Sequence, residues 1–258
     1  MLCKEIIEVI ERTYPKQAAM EWDNVGLLVG RTDKEVKRVL VALDLTDDVL
    51  AEAIDSEIDM IVTHHPLIFT PLKKITNEHF IGNRVVKLLQ HDISYYAMHT
   101  NYDVLGMAQL AGDMFGLDST EALDVTDLEN GEGIGRIGDL ENKITLKDCC
   151  KQVKERFALD AVKVFGDMEH EIKRVAISPG SGKSMLKAAL IKHADVLITG
   201  DIDHHEGIDA VAQGTAIIDA GHYGLEHIFI KDMTEYLRDN LSEVKVEKVA
   251  ISHPFQII

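Results

Sequence analysis

A strand, a turn, an amphipathic helix and a second strand occur twice in this chain, aligned with each other without gaps. Lys37-Arg38-Val39 aligns with Lys173-Arg174-Val175. At the same offset Val49-Leu50 aligns with Met185-Leu186, and Asp59-Met60-Ile61-Val62-Thr63 with Asp195-Val196-Leu197-Ile198-Thr199. In the second copy Val175 to Ile177 is apolar and β-branched, and Pro179 to Gly182 has turn chemistry. Met185, Leu186, Ala189 and Leu190 then follow at helical spacing. A strand–helix–strand unit of this length implies parallel strands joined by a right-handed crossover. The halves continue alike, with a helix over Glu78 to His91 matching one over His204 to Gln213. A strand over Ile93 to Ala97 likewise matches one over Thr215 to Ile218. The expected fold is α/β, with two related lobes from an internal duplication. Apolar density falls and glycines and acidic residues collect near Asp118 to Glu132, which sets the expected lobes at 1–125 and 126–258.

The chain is long enough for one large domain or two ordinary ones. Asp and Glu number 44 against 27 Lys and Arg, a formal charge of −17. That charge opposes general affinity for nucleic acid or anionic membranes. An anionic substrate would need a bound cation or a local Lys/Arg pocket. Cys3, Cys149 and Cys150 form no metal-ligand pattern, and adjacent Cys149 and Cys150 do not readily bridge each other, so reduced thiols are expected. Met1 to Pro15 mixes Lys4, Glu5, Glu8 and Glu11 with apolar residues at helical spacing, unlike a signal peptide. No apolar run approaches the roughly 20 residues of a membrane span. The expectation is a soluble cytoplasmic protein.

Each copy ends its second strand on polar residues, where open α/β sheets bind ligands. In the first copy these are His64-His65, and in the second Gly200-Asp201, followed by Asp203, His204, His205 and Glu206. The next strand of each half also ends in a polar cluster: His99-Thr100-Asn101-Tyr102-Asp103 and Asp219-Ala220-Gly221-His222-Tyr223. A lone histidine at a strand end is commonly a surface or capping group, but a doublet adds little to packing. Asp103 reads equally as the N-cap of a helix starting near Val104 and as a metal ligand. His222 and Glu226 lie one turn apart at the head of a stripe that continues through Phe229, Met233 and Leu237. Polar groups opening a buried face need partners. Three imidazoles and two carboxylates suit a pair of divalent ions. Zinc, iron, manganese, cobalt and nickel are not distinguished by such donors.

Other segments carry weaker signals. Pro179-Gly180-Ser181-Gly182-Lys183-Ser184 approaches a phosphate loop, but G-x-x-x-x-G-K-[ST] requires glycine where Ile177 stands. A plain glycine-rich turn is the competing expectation, with Lys183 and nearby N–H groups free to hold an anion. Glu21-Trp22-Asp23-Asn24 contains the only tryptophan, which lines a pocket or anchors a loop by a buried indole. His99 is a candidate partner to a metal ligand or a proton shuttle, and Asp201, His204 and His205 are candidates for touching substrate or solvent. His253 is expected to be structural.

Trp22-Asp23-Asn24-Val25-Gly26-Leu27, Val41-Ala42-Leu43-Asp44, Thr63-His64-His65-Pro66, His99-Thr100-Asn101-Tyr102-Asp103, Thr199-Gly200-Asp201 and Asp219-Ala220-Gly221-His222-Tyr223-Gly224-Leu225-Glu226 occur in order along nearly the whole chain. With these motifs the sequence resembles the GTP cyclohydrolase I type 2 homologues, also called Ngg-interacting-factor-three-like proteins. The resemblance implies a dinuclear metal site built from His64, His65, Asp103, His222 and Glu226, in a cleft between intertwined lobes. It also implies a ring-shaped homohexamer, in the short form that lacks an insert between the lobes. The implied activity is hydrolytic: a metal-bound hydroxide attacks a purine nucleotide such as GTP, with His99 or His205 moving protons. Two alternatives accompany it, a non-catalytic metal-binding regulatory or interaction protein and a metal-delivery protein.

Overall fold

The computed structural model describes all residues from Met1 to Ile258. In chain order the main elements are α1 (Cys3–Thr13), β1 (Gly26–Val29), β2 (Arg38–Ala42), α2 (Asp47–Asp55), β3 (Met60–Thr63), α3 (Phe80–Gln90), β4 (Ser94–Ala97) and α4 (Thr100–Tyr102). A π-helical turn over Asp103–Met107 leads to α5 (Ala108–Phe115), β5 (Asp118–Asp127), β6 (Glu132–Thr145), α6 (Leu146–Arg156), β7 (Lys163–Phe165) and β8 (Glu171–Ser181). The chain closes with α7 (Leu186–Ile191), β9 (Val196–Gly200), α8 (His204–Ala212), β10 (Ala216–Asp219), α9 (His222–Glu226), α10 (Ile228–Asn240) and β11 (Lys245–Lys248).

By contacts the chain divides into one unit of residues 1–102 with 229–251 and another of 103–228 with 252–258. The acidic, glycine-bearing stretch from Asp118 to Glu132 forms β5 and the start of β6, an antiparallel pair within the second unit. The first unit holds a sheet in the order β1-β4-β3-β2-β11, with β1 antiparallel to β4 and the other pairings parallel. The second holds a sheet in the order β5-β6-β8-β9-β10-β7, in which β8, β9 and β10 are parallel and β7 runs antiparallel to β10. The fold is therefore mixed α/β with a sheet in each unit.

The aligned sequences adopt matching local frames. In the first unit Asp59 Oδ2 accepts hydrogen bonds from the backbone N–H groups of Lys37 and Arg38, at 2.8 and 3.0 Å. In the second, Asp195 Oδ2 accepts from Lys173 and Arg174, both at 2.8 Å. After the intervening helices, Glu57 and His193 both take the left-handed conformation, with φ of 51° and 55°. Each aspartate satisfies two N–H groups at the start of a parallel strand, which explains why the aligned triplets are followed by an aligned aspartate.

Burial follows the expected periodicity. Val39, Val41, Ile61 and Val62 in the first unit, and Val175, Ile177, Leu197 and Ile198 in the second, are inaccessible. Near-continuous apolar strands of this kind belong to parallel sheets covered on both faces. Phe229, Met233 and Leu237 form the buried stripe of α10, as expected. All three cysteines are buried free thiols, and burial pushes the Cys149 thiol up to about 12. No helix is long and apolar enough to cross a membrane.

Candidate functional site

Sheet register explains how distant residues of the first unit meet. Strands β2, β3 and β4 are paired at Ala42, Thr63 and Ala97. Two residues past each paired position stand Asp44, His65 and His99. Parallel strands end together, so these side chains gather at one carboxyl edge. His64, His65 and His99 offer ring nitrogens within 4.8 Å of one another. Their ring centroids are 4.8 Å apart for His64–His65, 5.3 Å for His64–His99 and 5.8 Å for His65–His99. His64 is fully buried and packs against Phe229 at 5.4 Å and Tyr102 at 6.1 Å.

Two carboxylates orient this cluster. Asp44 Oδ1 lies 2.8 Å from His65 Nδ1, and Asp23 Oδ1 lies 2.8 Å from His99 Nδ1. A neutral imidazole that donates Nδ1–H to a carboxylate turns its Nε2 lone pair outward, as metal-binding histidines do. Burial would raise the Asp23 carboxyl, but hydrogen bonds from His99 and from the Thr100 hydroxyl and N–H hold it at about 2. The Asn24 N–H adds a fourth bond at 2.8 Å.

A buried hydroxyl holds the turn after β3. Tyr95 Oη pairs with Thr63 Oγ1 at 2.6 Å, accepts from the Leu67 N–H at 2.9 Å and donates to the His65 carbonyl at 2.8 Å. Removing it by Tyr95→Phe strands the Leu67 N–H in the interior. The expected cost is about 1–3 kcal/mol in urea denaturation. A midpoint equal to wild type would contradict this account of the turn.

The second unit presents its own set. Asp219 Oδ1 accepts from the Gly221 N–H at 3.1 Å, while its Oδ2 accepts from the Ile202 N–H at 3.1 Å and pairs with Lys163 Nζ at 2.7 Å. This pins the chain just ahead of α9. On α9, His222 bridges two acids: Nδ1 lies 2.8 Å from Asp201 Oδ2 and Nε2 lies 3.0 Å from Glu226 Oε2. Glu226 is buried, and one of its carboxylate oxygens lies within 4.8 Å of one from Asp103. Two carboxylates this close repel each other unless a proton or a cation lies between them. A cavity of about 730 Å³ near this set is lined by Lys163, Asp201, Asp219, Gly221, His253 and Phe255, among others.

Residues 1–254 match the family described as Duf34/NIF3 (NGG1p interacting factor 3). The chain belongs to this family. A relative from Streptococcus pneumoniae is 38% identical over 243 residues, covering 92% of this chain and 90% of its own. One from Lactococcus lactis is 37% identical over 251 residues, covering 95% of each. Both are named GTP cyclohydrolase 1 type 2 homolog. Among solved structures, a Staphylococcus aureus protein matches with a TM-score of 0.90 at 30% identity, covering 100% of this chain and 99% of its own. Reduced HcgD from Methanocaldococcus jannaschii matches with a TM-score of 0.85 at 32% identity, covering 96% and 97%.

Several expectations for this Duf34/NIF3 chain change in detail. Asp103 is not a helix N-cap: helix begins at Thr100, whose N–H is taken by Asp23, and Asp103 opens the π-helical turn. Single π-helical turns inside helices recur at functional sites. Pro179 to Ser181 belongs to β8, where Ser181 pairs with Gly200. Lys183 is engaged with Glu206 and, at 3.7 Å, with Asp203. Trp22 does not anchor its loop by burial, since 59% of it is exposed, and Asp23 and Asn24 do the anchoring. His205 is exposed at the start of α8 with its ring against His204, and belongs to none of the groups able to share an ion. The orienting roles of Asp23, Asp44 and Asp201 are new. For Asp44 the signal was its place two residues past the end of β2.

Proposed function

We propose that the chain is a metal-dependent hydrolase. It would hold two divalent ions with His64, His65, Asp103, His222 and Glu226, and act on a purine nucleotide or related heterocycle. The observation that carries this reading is the repeated carboxylate–histidine pair: Asp44 with His65, Asp23 with His99 and Asp201 with His222. Structural histidines rarely need an acid to fix which nitrogen carries the proton, whereas ligands and proton carriers do. The adjacent carboxylates of Asp103 and buried Glu226 also fit a cation. When bound, divalent ions would polarise the scissile bond and lower the pKa of water.

The chain's own residues would do the rest. Asp23 fixes His99 with Nε2 available to take or give a proton beside the cluster. Asp219 and Gly221 hold the turn that presents His222. The name shared by the relatives supports a purine nucleotide substrate. A homohexamer and a cytoplasmic setting are part of the same proposal, resting on the family resemblance and the composition. So is descent of the two units from one duplicated ancestor, supported by the matching bonds of Asp59 and Asp195.

Elemental analysis of wild type and His65→Ala tests the ligand assignment. Two equivalents per chain are expected to fall to one or none in the variant, and two retained equivalents would overturn it. Metal-loaded protein incubated with GTP is expected to change the guanine absorbance. No change with GTP or its analogues would remove the cyclohydrolase reading and favour a regulatory or metal-delivery role.

A further inference from the structure

Trp22 and Phe69 leave their rings in solvent, 59% and 54% exposed, although the backbone around each is tied down. Met20 N–H donates to Thr100 Oγ1 at 2.9 Å, and Asp23 is locked by its four hydrogen bonds. Asn24 Nδ2 donates to the Ile68 carbonyl at 2.6 Å, which joins the two ring-bearing loops next to the rings themselves. The ring centroids lie 5.8 Å apart and the ring planes are inclined by 52°, so the pair forms an open wedge. Both rings stand edge-on to His99, Trp22 at 5.9 Å and Phe69 at 6.2 Å. An indole normally buries most of its surface. Here a rigid frame keeps one exposed at the rim of a histidine cluster.

We propose that Trp22 and Phe69 form an aromatic platform beside His99, on which a planar nitrogen heterocycle stacks against the indole while the inclined Phe69 ring closes one edge. Every such ring has a π-face to offer an exposed indole or phenyl ring, and its edge atoms carry lone pairs and N–H groups. A heterocycle lying on the platform would turn that polar edge toward His99, whose Nδ1 is already committed to Asp23. Two side chains are far too small an area to hold a second protein chain by themselves. That the stacked ring is a substrate rests on the hydrolase reading above, whereas the platform does not.

Trp22 is the only tryptophan, so its fluorescence reports the platform directly. Wild-type protein, with and without added manganese, is titrated with guanosine, adenosine and neopterin, with ribose 5-phosphate as the control. Saturable quenching is expected from the heterocycles and none from the sugar phosphate. Phe69→Ala is expected to raise the midpoint about tenfold, as loss of one stacking ring does. The exposure of Phe69 leaves the fold intact in this variant. The proposal is overturned by absence of saturable quenching with all three heterocycles, by equal quenching with ribose 5-phosphate, or by an unchanged midpoint in Phe69→Ala. A loss of oligomer mass in Phe69→Ala would assign the rings to a subunit interface and overturn it too. Quenching without any hydrolysis would defeat the enzymatic reading and leave the platform standing. Hydrolysis without quenching would do the reverse.

Discussion

Gly180→Ala is expected to lose metal on the scale of a ligand deletion while the sheet that carries it stays folded. Gly180 lies in β8 at φ +80°, and a Cβ there would overlap Glu226 Oε1, with His222 Nε2 3.8 Å away. The obstructing atom is the end of a side chain, so the relief available is a swing of the Glu226 carboxylate. That carboxylate is also the partner of His222 Nε2 and the neighbour of Asp103. A swing therefore undoes the arrangement that fits a cation. Mutating even the outer partners that orient metal ligands typically costs on the order of 10–100-fold, and displacing Glu226 itself is expected to cost at least that. The measurement is manganese or zinc retained after dialysis, with an apparent affinity from chelator competition.

Backbone strain contributes as well, and must be separated from displacement. A non-glycine residue in the left-handed region costs about 1–2 kcal/mol wherever it occurs. Gly131 supplies the control, because its φ is +71° and a Cβ there meets nothing within 4 Å. Gly131→Ala is expected to show the strain alone, with metal retention unchanged. Gly180→Ala is expected to lose metal and to fall further in stability. If both variants retain metal equally, Glu226 is not held where the metal reading needs it.

The strand ends were legible because short apolar runs stop at polar residues: Val62-Thr63 at His64-His65, and Ile198-Thr199 at Gly200-Asp201. The stripe of Phe229, Met233 and Leu237 was legible by period alone, and all three are buried. Partnerships between elements were not. That Asp44 meets His65 follows from the pairing of Ala42 with Thr63, and register is invisible until the strands are laid side by side. Composition misread Pro179 to Ser181 for a related reason. Glycines serve turns, but they also serve an irregular stretch of strand whose neighbours leave no room for a Cβ, as Glu226 does at Gly180. Trp22 shows the opposite limit. The sequence left a pocket-lining and a buried, anchoring indole both open, and the polar residues after it do the anchoring and leave the ring outside.

Asp23→Asn is expected to flatten the acid limb of the stability curve and to disable His99 while sparing the metal. The Asp23 side chain is inaccessible, and its carboxyl is held at about 2 against an ordinary value of 3.8. A group whose pKa is depressed on folding binds its proton more readily in the unfolded chain. Its stabilisation is therefore complete above about pH 4 and drains away as the pH falls toward 2. The amount is about 2 kcal/mol. Other carboxylates titrate in the same window, so the quantity to read is the difference between wild type and variant in urea denaturation at pH 6 and near pH 2. Asparagine offers one acceptor oxygen and an NH2 group where four donors converge, so at least one donor must lose its partner. The variant should thus be weaker at neutral pH, with the gap closing in acid. A neutral amide in place of the carboxylate also weakens the hold on the His99 ring and on which of its nitrogens carries the proton. If His99 moves protons, turnover falls on the order of 10–100-fold at unchanged metal content, the scale of losing a partner that orients a histidine. Loss of metal along with activity would make His99 a ligand, and a parallel pair of pH curves would remove Asp23 as the source of the acid limb.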